Sequence, residues 1–228
     1  MLIKTGCSIT RQREKSTGSS FMLAIWRKWQ MSLLEKEFST LEKDLTSTPL
    51  RISAYHDLPF AIFRYDPWDE FSCRNRIRLL AISLEQNHHK RVTFVSLGKI
   101  LWKVIRETEG LEAIIAEERQ LGFDHVQQTI YNLLSDSDFM PLPDVLEKRM
   151  EHLNPVKNLV FLVRAGALAP SIFRCSALLD KMHGRTMVPI ILFYPGTAEG
   201  KTDLRFMNMP ERANLGAYNY RVKIYGGD

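Results

Sequence analysis

The stretch from Met187 to Thr202 comes close to a nucleotide-binding motif. An apolar segment runs into a glycine-containing loop that ends in Gly-Lys-Thr. A P-loop has the form G-x-x-x-x-G-K-[ST], its backbone N–H groups wrap a phosphate, and a helix begins directly after it. Here three residues instead of four separate Gly196 from Gly200, and the residues that follow alternate as in a strand. We therefore expect a hairpin or wide turn, and a degenerate P-loop-like nucleotide-binding protein stays open as an alternative function.

Charged and hydroxyl side chains stand at the ends of four predicted strands. Arg64 and Asp66 end the first strand, and Ser96 and Arg164 end the second and third. The fourth strand ends at Tyr194. Because ligands of open α/β sheets bind beyond the carboxyl ends of the strands, these residues could form a ligand rim for an anion or a peptide. The alternative is that the two arginines pair with nearby carboxylates and only hold the rim together.

No catalytic or metal site is predicted. The acidic run from Asp66 to Glu70 could serve acid–base chemistry or a divalent cation, but it coincides with a helix start, where carboxylates are favourable. The three cysteines are far apart without a C-x-x-C spacing, and no histidine has a partner at ligand spacing. The nucleophile elbow G-x-S-x-G and the zinc motif H-E-x-x-H do not occur. We expect no cofactor, and reduced thiols fit a cytoplasmic protein.

The elements that must position these residues alternate between strands and helices. Apolar segments predict four main strands and two shorter ones: 59–64, 91–96, 157–163, 188–194, 204–207 and 218–225. Helical periodicity fills the intervals, beginning with 33–45 and 70–86. In the second helix we expect Asp69 as the N-cap, Phe71 among the core residues, and a favourable pair of Glu70 with Arg74 four residues later. This order predicts a three-layer α/β domain with a mostly parallel sheet, a P-loop-NTPase-like or Rossmann-like core without a Walker A motif. We expect a helical insertion over 111–154 and a C-terminal β-hairpin.

The basic charge of the chain is confined to its first thirty residues. The net charge of the whole chain is +5, and residues 1–30 carry six basic side chains against one acidic side chain. Residues 31–228 hold 25 basic and 25 acidic side chains, so we expect no direct nucleic-acid partner for the folded part. No segment has the length of a membrane span. We interpret 1–30 as a disordered or non-native extension and 31–228 as a single domain whose native start is Met31.

Four segments together resemble one known family. They read Pro59-Phe-Ala-Ile-Phe-Arg-Tyr-Asp-Pro, Val188-Pro-Ile-Ile-Leu-Phe-Tyr-Pro-Gly, Leu204-Arg-Phe-Met and Tyr220-Arg-Val-Lys-Ile-Tyr. In this order they resemble the BrxB family, a small component of bacterial BREX phage-defence systems. The resemblance covers about residues 31–228.

The resemblance implies a non-catalytic part of a multi-protein machine that restricts phage DNA and methylates host DNA. It implies an adaptor that binds the alkaline-phosphatase-like protein PglZ and possible contacts with other BREX components, without catalytic residues to carry over. Tyrosine and arginine are enriched in interface hot spots, so we predict a partner-binding surface at Tyr194, Tyr218, Tyr220 and Arg221. The alternative for the C-terminal segment is an edge strand with a solvated face.

Overall fold

The computed structural model of the protein describes residues 33–52, 59–169, 172–199, 203–207 and 222–226. The helices in these ranges are α1 (33–46), α2 (Glu70–His88), α3 (Leu97–Glu107), α4 (Leu111–Leu121), α5 (Phe123–Ser135), α6 (Leu142–Met150) and α7 (Cys175–Met182). The strands are β1 (Phe60–Tyr65), β2 (Arg91–Ser96), β3 (Asn158–Val163), β4 (Ile190–Glu199), β5 (Asp203–Phe206) and β6 (Lys223–Tyr225). Short 3₁₀ turns follow β1 at Pro67–Asp69 and β3 at Ala165–Leu168.

Five of these strands form a parallel sheet in the order β2-β3-β4-β1-β6. The strand β5 lies off this path and pairs antiparallel with the far end of β4, from Gly196 opposite Phe206 to Glu199 opposite Asp203. The predicted C-terminal β-hairpin is therefore wrong. The hairpin joins β4 to β5. The strand β6 instead pairs in parallel with β1, at the end of the strand order.

Both faces of the sheet are covered, which confirms the three-layer α/β prediction. Side chains alternate along β4, so that Ile190 and Leu192 join one core cluster and Ile191 and Phe193 join the other. The helices α1 and α2 bury their apolar sides on one face, and α3 to α7 cover the opposite face. Strands buried on both faces need continuous apolar runs, which is the pattern that predicted them.

The predicted helical insertion is confirmed as α4, α5 and α6, which lie between α3 and β3. Gly110 and Gly122 stand before and after α4 with φ angles of 83° and 88°, a backbone conformation that residues with a Cβ atom rarely adopt. Residues 1–32 lie outside the described ranges, so the division of the chain at residue 31 stays a prediction. Among the described residues, no helix is both long and apolar enough to cross a membrane.

Helix α1 is tied to the C-terminal strand β6 by polar contacts. The buried carboxylate of Asp44 accepts hydrogen bonds from the Lys223 ammonium group and, at 2.8 Å, from the Tyr225 hydroxyl. The carboxylate of Glu37 accepts from the backbone N–H of Gly226 at 3.0 Å. These contacts join residues that are 179 to 189 positions apart and hold β6 against the same layer as α1.

Candidate functional site

A cleft of about 920 Å³ opens at the carboxyl ends of the central strands. One wall is α2, and the opposite wall is the start of α3 together with the 3₁₀ turn after β3. The cleft forms because β1 leads to a helix on one face of the sheet, whereas β2 and β3 lead to elements on the other face. Chains that diverge in this way leave the crevice in which α/β proteins bind ligands.

The lining of the cleft is strongly basic. Five cationic side chains from four separate elements face one acidic side chain, that of Glu70. The cations are Arg74 and Arg78 of α2, Lys99 of α3, Arg149 of α6, and Arg164 at the end of β3. Residues 31–228 have no net charge, so this cleft is a local concentration of positive charge that a charge count cannot detect.

The one acidic group in the lining is already neutralised. The Nε of Arg74 donates to the Glu70 carboxylate at 2.6 Å, as the spacing of four helical residues predicted, and the Tyr65 hydroxyl donates to the same carboxylate. Burial, together with this hydrogen bond to a carboxylate, raises the pKa of Tyr65, so its hydroxyl stays protonated as a donor. Glu70 therefore compensates Arg74 and leaves the other cations without a counter-charge.

The remaining four cations have exposed side chains, with no ion pair or side-chain hydrogen bond in the described part of the chain. We call them the unpaired cations: Arg78, Lys99, Arg149 and Arg164. Like charges that share a cleft repel one another, so such a group is stabilised when an anion binds.

Two residues in the cleft lining have unusual backbone conformations. Arg164 has a φ of 64° and Met207 a φ of 52°, and the described chain has one further positive φ among its non-glycine residues, at His89. Left-handed conformations cost side-chain-bearing residues about 1–3 kcal/mol and cluster at functional sites. The turn that follows β3 therefore carries Arg164 into the cleft at an energetic cost.

Aromatic side chains are exposed in the cleft and at its rim. Phe94 on β2 and Trp102 on α3 line the cleft with 45% and 48% of their surface exposed. Trp68 and Phe71 stand at the rim with 86% and 76% exposed, and the guanidinium of Arg74 lies 5.4 Å from the Phe71 ring centre. Helical periodicity had predicted Phe71 as a core residue. That prediction is wrong, and it concerns a residue that matters for function.

The predicted ligand rim divides into two groups. Ser96 and Arg164 line the cleft, and the Ser96 hydroxyl accepts from the Lys99 backbone N–H at 3.3 Å as the N-cap of α3. Asp66 accepts from the Trp68 backbone N–H at 3.0 Å and so caps the 3₁₀ turn, a role that the sequence had suggested for Asp69. Arg64 lies beside Tyr194 in the strand register and does not line the cleft.

The predicted partner surface needs one correction. The Tyr194 side chain is 1% exposed, and its ring packs 5.1 Å from that of Phe206, so it belongs to the core and offers nothing to a partner. Its place in the parallel part of β4, where both faces are covered, is the physical reason. Tyr218, Tyr220 and Arg221 lie outside the described residues, and their role stays a prediction.

The glycine of the near-motif has a structural role. Gly196 lies within β4, where a Cβ atom would stand 2.2 Å from the carbonyl oxygen of Arg205 on β5. A side chain at this position would therefore collide with the paired strand. The backbone at Gly196 is extended and pairs antiparallel with β5, which confirms the prediction of a hairpin. Gly200, Lys201 and Thr202 lie outside the described residues.

The comparison with known families decides what the chain is. A family model described as BREX protein BrxB matches residues 93–224, more than half of the chain. The chain belongs to the BrxB family. The BREX protein BrxB of Bacillus cereus (strain H3081.97) is 26% identical over 149 residues, which are 64% of this chain and 74% of that protein. No solved structure gives a significant match.

Membership of the BrxB family makes this chain a component of a BREX phage-defence system. The matched region begins in β2 and contains Lys99, Arg149 and Arg164 of the cleft, whereas Arg74 and Arg78 of α2 precede it. The last two were not predicted as site residues; their spacing of four residues, which places them on one side of α2, is the signal that could have found them. The arginine between them, Arg76, points elsewhere and lies 3.8 Å from Glu35.

Proposed function

We propose that this chain is a non-catalytic adaptor of its BREX system and that it binds a PglZ-type, alkaline-phosphatase-like partner. Membership of a multi-component defence system supports the proposal, because each component must find its place among the others. The observation that carries it is an exposed apolar surface along α2 and the turn before it.

This α2 surface consists of four large side chains. Trp68 and Phe71 are 86% and 76% exposed, and Leu79 and Ile82 further along the helix are 54% and 47% exposed. The three helical positions share one side of α2, while Cys73 and the other buried residues face the sheet. Large apolar side chains exposed on one side of a helix are typical of an interaction site, and tryptophan is among the residue types enriched in hot spots.

Within the described residues, no three His, Cys, Asp or Glu side chains approach closely enough to hold a metal ion. The Cys73 and Cys175 thiols are buried, and burial raises the pKa of Cys175 to about 12, so neither thiol is a ready nucleophile.

The α2 surface is tested by removing its two most exposed side chains. In a titration with the PglZ-type protein of the same system, Trp68→Ser plus Phe71→Ser should weaken binding by about 30-fold or more, the loss of one hot spot of about 2 kcal/mol. The matched control is Val156→Ser plus Met187→Ser, which removes two apolar side chains that are 72% and 59% exposed before β3 and β4, at the opposite end of the sheet.

Equal affinity of the two double variants would refute the α2 surface as the docking site. The C-terminal residues are a second candidate surface, and Tyr220→Ala plus Arg221→Glu tests it in the same titration. A loss of binding in that variant alone would move the interface to the C-terminal segment and leave the adaptor role intact. No binding by the unaltered protein would refute the adaptor role with this partner.

A further inference from the structure

We propose that the basic cleft binds single-stranded nucleic acid, with its unpaired cations on the phosphates and its half-exposed aromatic rings against the bases. This function goes beyond the adaptor role and rests on different residues. It reverses the expectation from the charge count, because the distribution of charge, rather than its total, decides attraction to a phosphate backbone.

The positive charge extends beyond the cleft along α3. Lys99, Trp102, Lys103 and Arg106 line an adjoining pocket of about 430 Å³, and the first two also line the cleft. Their spacing of three, four and seven residues places them on one side of the helix. Lys103 lies 3.5 Å from Glu107, and both groups are about half exposed, so water screens this pair. A chain of phosphates leaving the cleft would therefore meet further cations.

The aromatic rings distinguish a nucleic acid from other anions. Phe94 and Trp102 are each almost half exposed in a cleft that also holds the four unpaired cations. A positively charged groove with aromatic platforms is the usual construction of a single-strand site, because every base has a face that can stack. A duplex keeps its bases stacked inside and would leave both rings without a ligand.

The surroundings of the cleft argue against a bound peptide. Peptides commonly add a strand to a free sheet edge or lay an apolar helix face in an apolar groove. The strands β1, β3 and β4 under the cleft are each paired on both sides, so among the strands that line it only β2 has a free edge in the described part of the chain. Six of the twenty lining residues are charged and they stand on opposite walls, so an apolar helix face in the cleft would bury these charges. Recognition of an acidic peptide by the arginines remains the competing outcome that the experiment must separate.

Salt dependence gives the expected size of the effect. For single strands, the logarithm of affinity falls with the logarithm of salt with a slope of about −0.7 per phosphate neutralised. Four unpaired cations therefore give a slope of about −2.8, which weakens binding about 50-fold between 50 and 200 mM salt.

The test is fluorescence anisotropy of a labelled twelve-residue oligothymidylate titrated with the full chain. Arg78→Gln plus Arg164→Gln should halve the slope to about −1.4 and weaken binding about tenfold at 150 mM salt. Trp102→Ala should weaken binding about tenfold through lost stacking, whereas Trp102→Phe keeps an aromatic face and should retain most of the affinity. All three positions are exposed, so none of these changes should unfold the protein.

Two controls locate the binding. Arg119→Gln plus Arg174→Gln removes the same charge from exposed positions on α4 and before α7 and should leave the affinity unchanged. Arg11→Gln plus Arg13→Gln removes the same positive charge from the basic first thirty residues. A loss of binding in this last variant, with none in the cleft variant, would overturn the proposal.

Competitors identify the ligand class. Unlabelled oligothymidylate should displace the probe, and a matched duplex, ATP with magnesium, or polyglutamate of equal charge should displace it at least tenfold less well. Polyglutamate as effective as the oligonucleotide would make the cleft a site for acidic polypeptides, and ATP as effective would make it a nucleotide site. Either result, or no binding at 50 mM salt, overturns the proposal. The double variant Trp68→Ser plus Phe71→Ser removes no cation from the cleft. Failure of the adaptor role can therefore be distinguished from failure of nucleic-acid binding.

Discussion

The link between α1 and β6 makes a prediction about stability that can be worked out atom by atom. The Asp44 carboxylate accepts hydrogen bonds from the Tyr225 hydroxyl at 2.8 Å and from the Lys223 ammonium group. The change Asp44→Ala removes the acceptor of both hydrogen bonds at once. Because β6 is only three residues long, these contacts are a large part of what holds it in the sheet.

The two lost hydrogen bonds lower the free energy of unfolding by different amounts. Tyr225 is 2% exposed, so its hydroxyl is left buried without the carboxylate, at a cost of about 1–3 kcal/mol. The Lys223 side chain is 39% exposed and its ammonium can return to water, so its share is at most about 1 kcal/mol. We expect a total loss of about 2–3 kcal/mol, which for a chain of this size lowers Tm by about 5–10 °C.

The assay is urea denaturation of the full chain, followed by circular dichroism. Tyr225→Phe removes only the hydroxyl and should cost about 1 kcal/mol, and the double variant should lose less than the sum of the two. Lys43→Ala, an exposed neighbour on α1, is the matched control and should stay within about 0.5 kcal/mol of the unaltered protein. An effect of Asp44→Ala no larger than that of Lys43→Ala, or strictly additive losses, would refute the reasoning.

Three further predictions follow from burial and backbone contacts. Burial raises the pKa of Asp44, but its hydrogen bonds lower it more, so the net pKa is below the ordinary value of 3.8. The unaltered protein should be more stable than Asp44→Asn above pH 3.8, and this difference should shrink as the pH falls through the pKa of Asp44 in the folded protein. Urea midpoints of both proteins measured from pH 7 to pH 3 check this prediction, and a constant difference between them would contradict it. Gly196→Ala should lower the free energy of unfolding by about 1–3 kcal/mol in the same assay, because the new Cβ would stand 2.2 Å from the facing carbonyl oxygen on β5. An unchanged urea midpoint would be inconsistent with that close approach. In a Cys7→Ser variant, Cys73 and Cys175 should react with a thiol reagent at pH 8 only after unfolding, and fast reaction of the native protein would show that they are not buried.

The sequence predicts the central strands well because their signal is local. The strands β1, β3 and β4 contain apolar runs next to proline or charged residues, and burial on both faces requires such runs. The pairing of β6 could not be predicted in the same way. A strand of three residues fits beside β5 or beside β1 equally well by its pattern, and the choice depends on contacts with α1 such as that from Asp44 to Tyr225.

The candidate site was predictable only in part, for a related reason. Ser96 and Arg164 were found because strand ends can be read from the sequence. Lys99 and Arg149 come from helices whose position around the cleft is set by tertiary packing, and nothing local marks them. Phe71 was wrongly predicted to lie in the core. The inward side of α2 is marked by the buried Cys73. Phe71 is two residues before Cys73 and therefore lies on nearly the opposite side of the helix.

The central claim, that this BrxB-family chain is an adaptor, is tested most directly by mixing it with the PglZ-type protein of its own system. Size-exclusion chromatography with light scattering at 150 mM salt would give the mass of each species. The account predicts a single peak whose mass equals an integer combination of the two proteins and which separates into two peaks with Trp68→Ser plus Phe71→Ser. Two separate peaks for the unaltered proteins at micromolar concentration would contradict it.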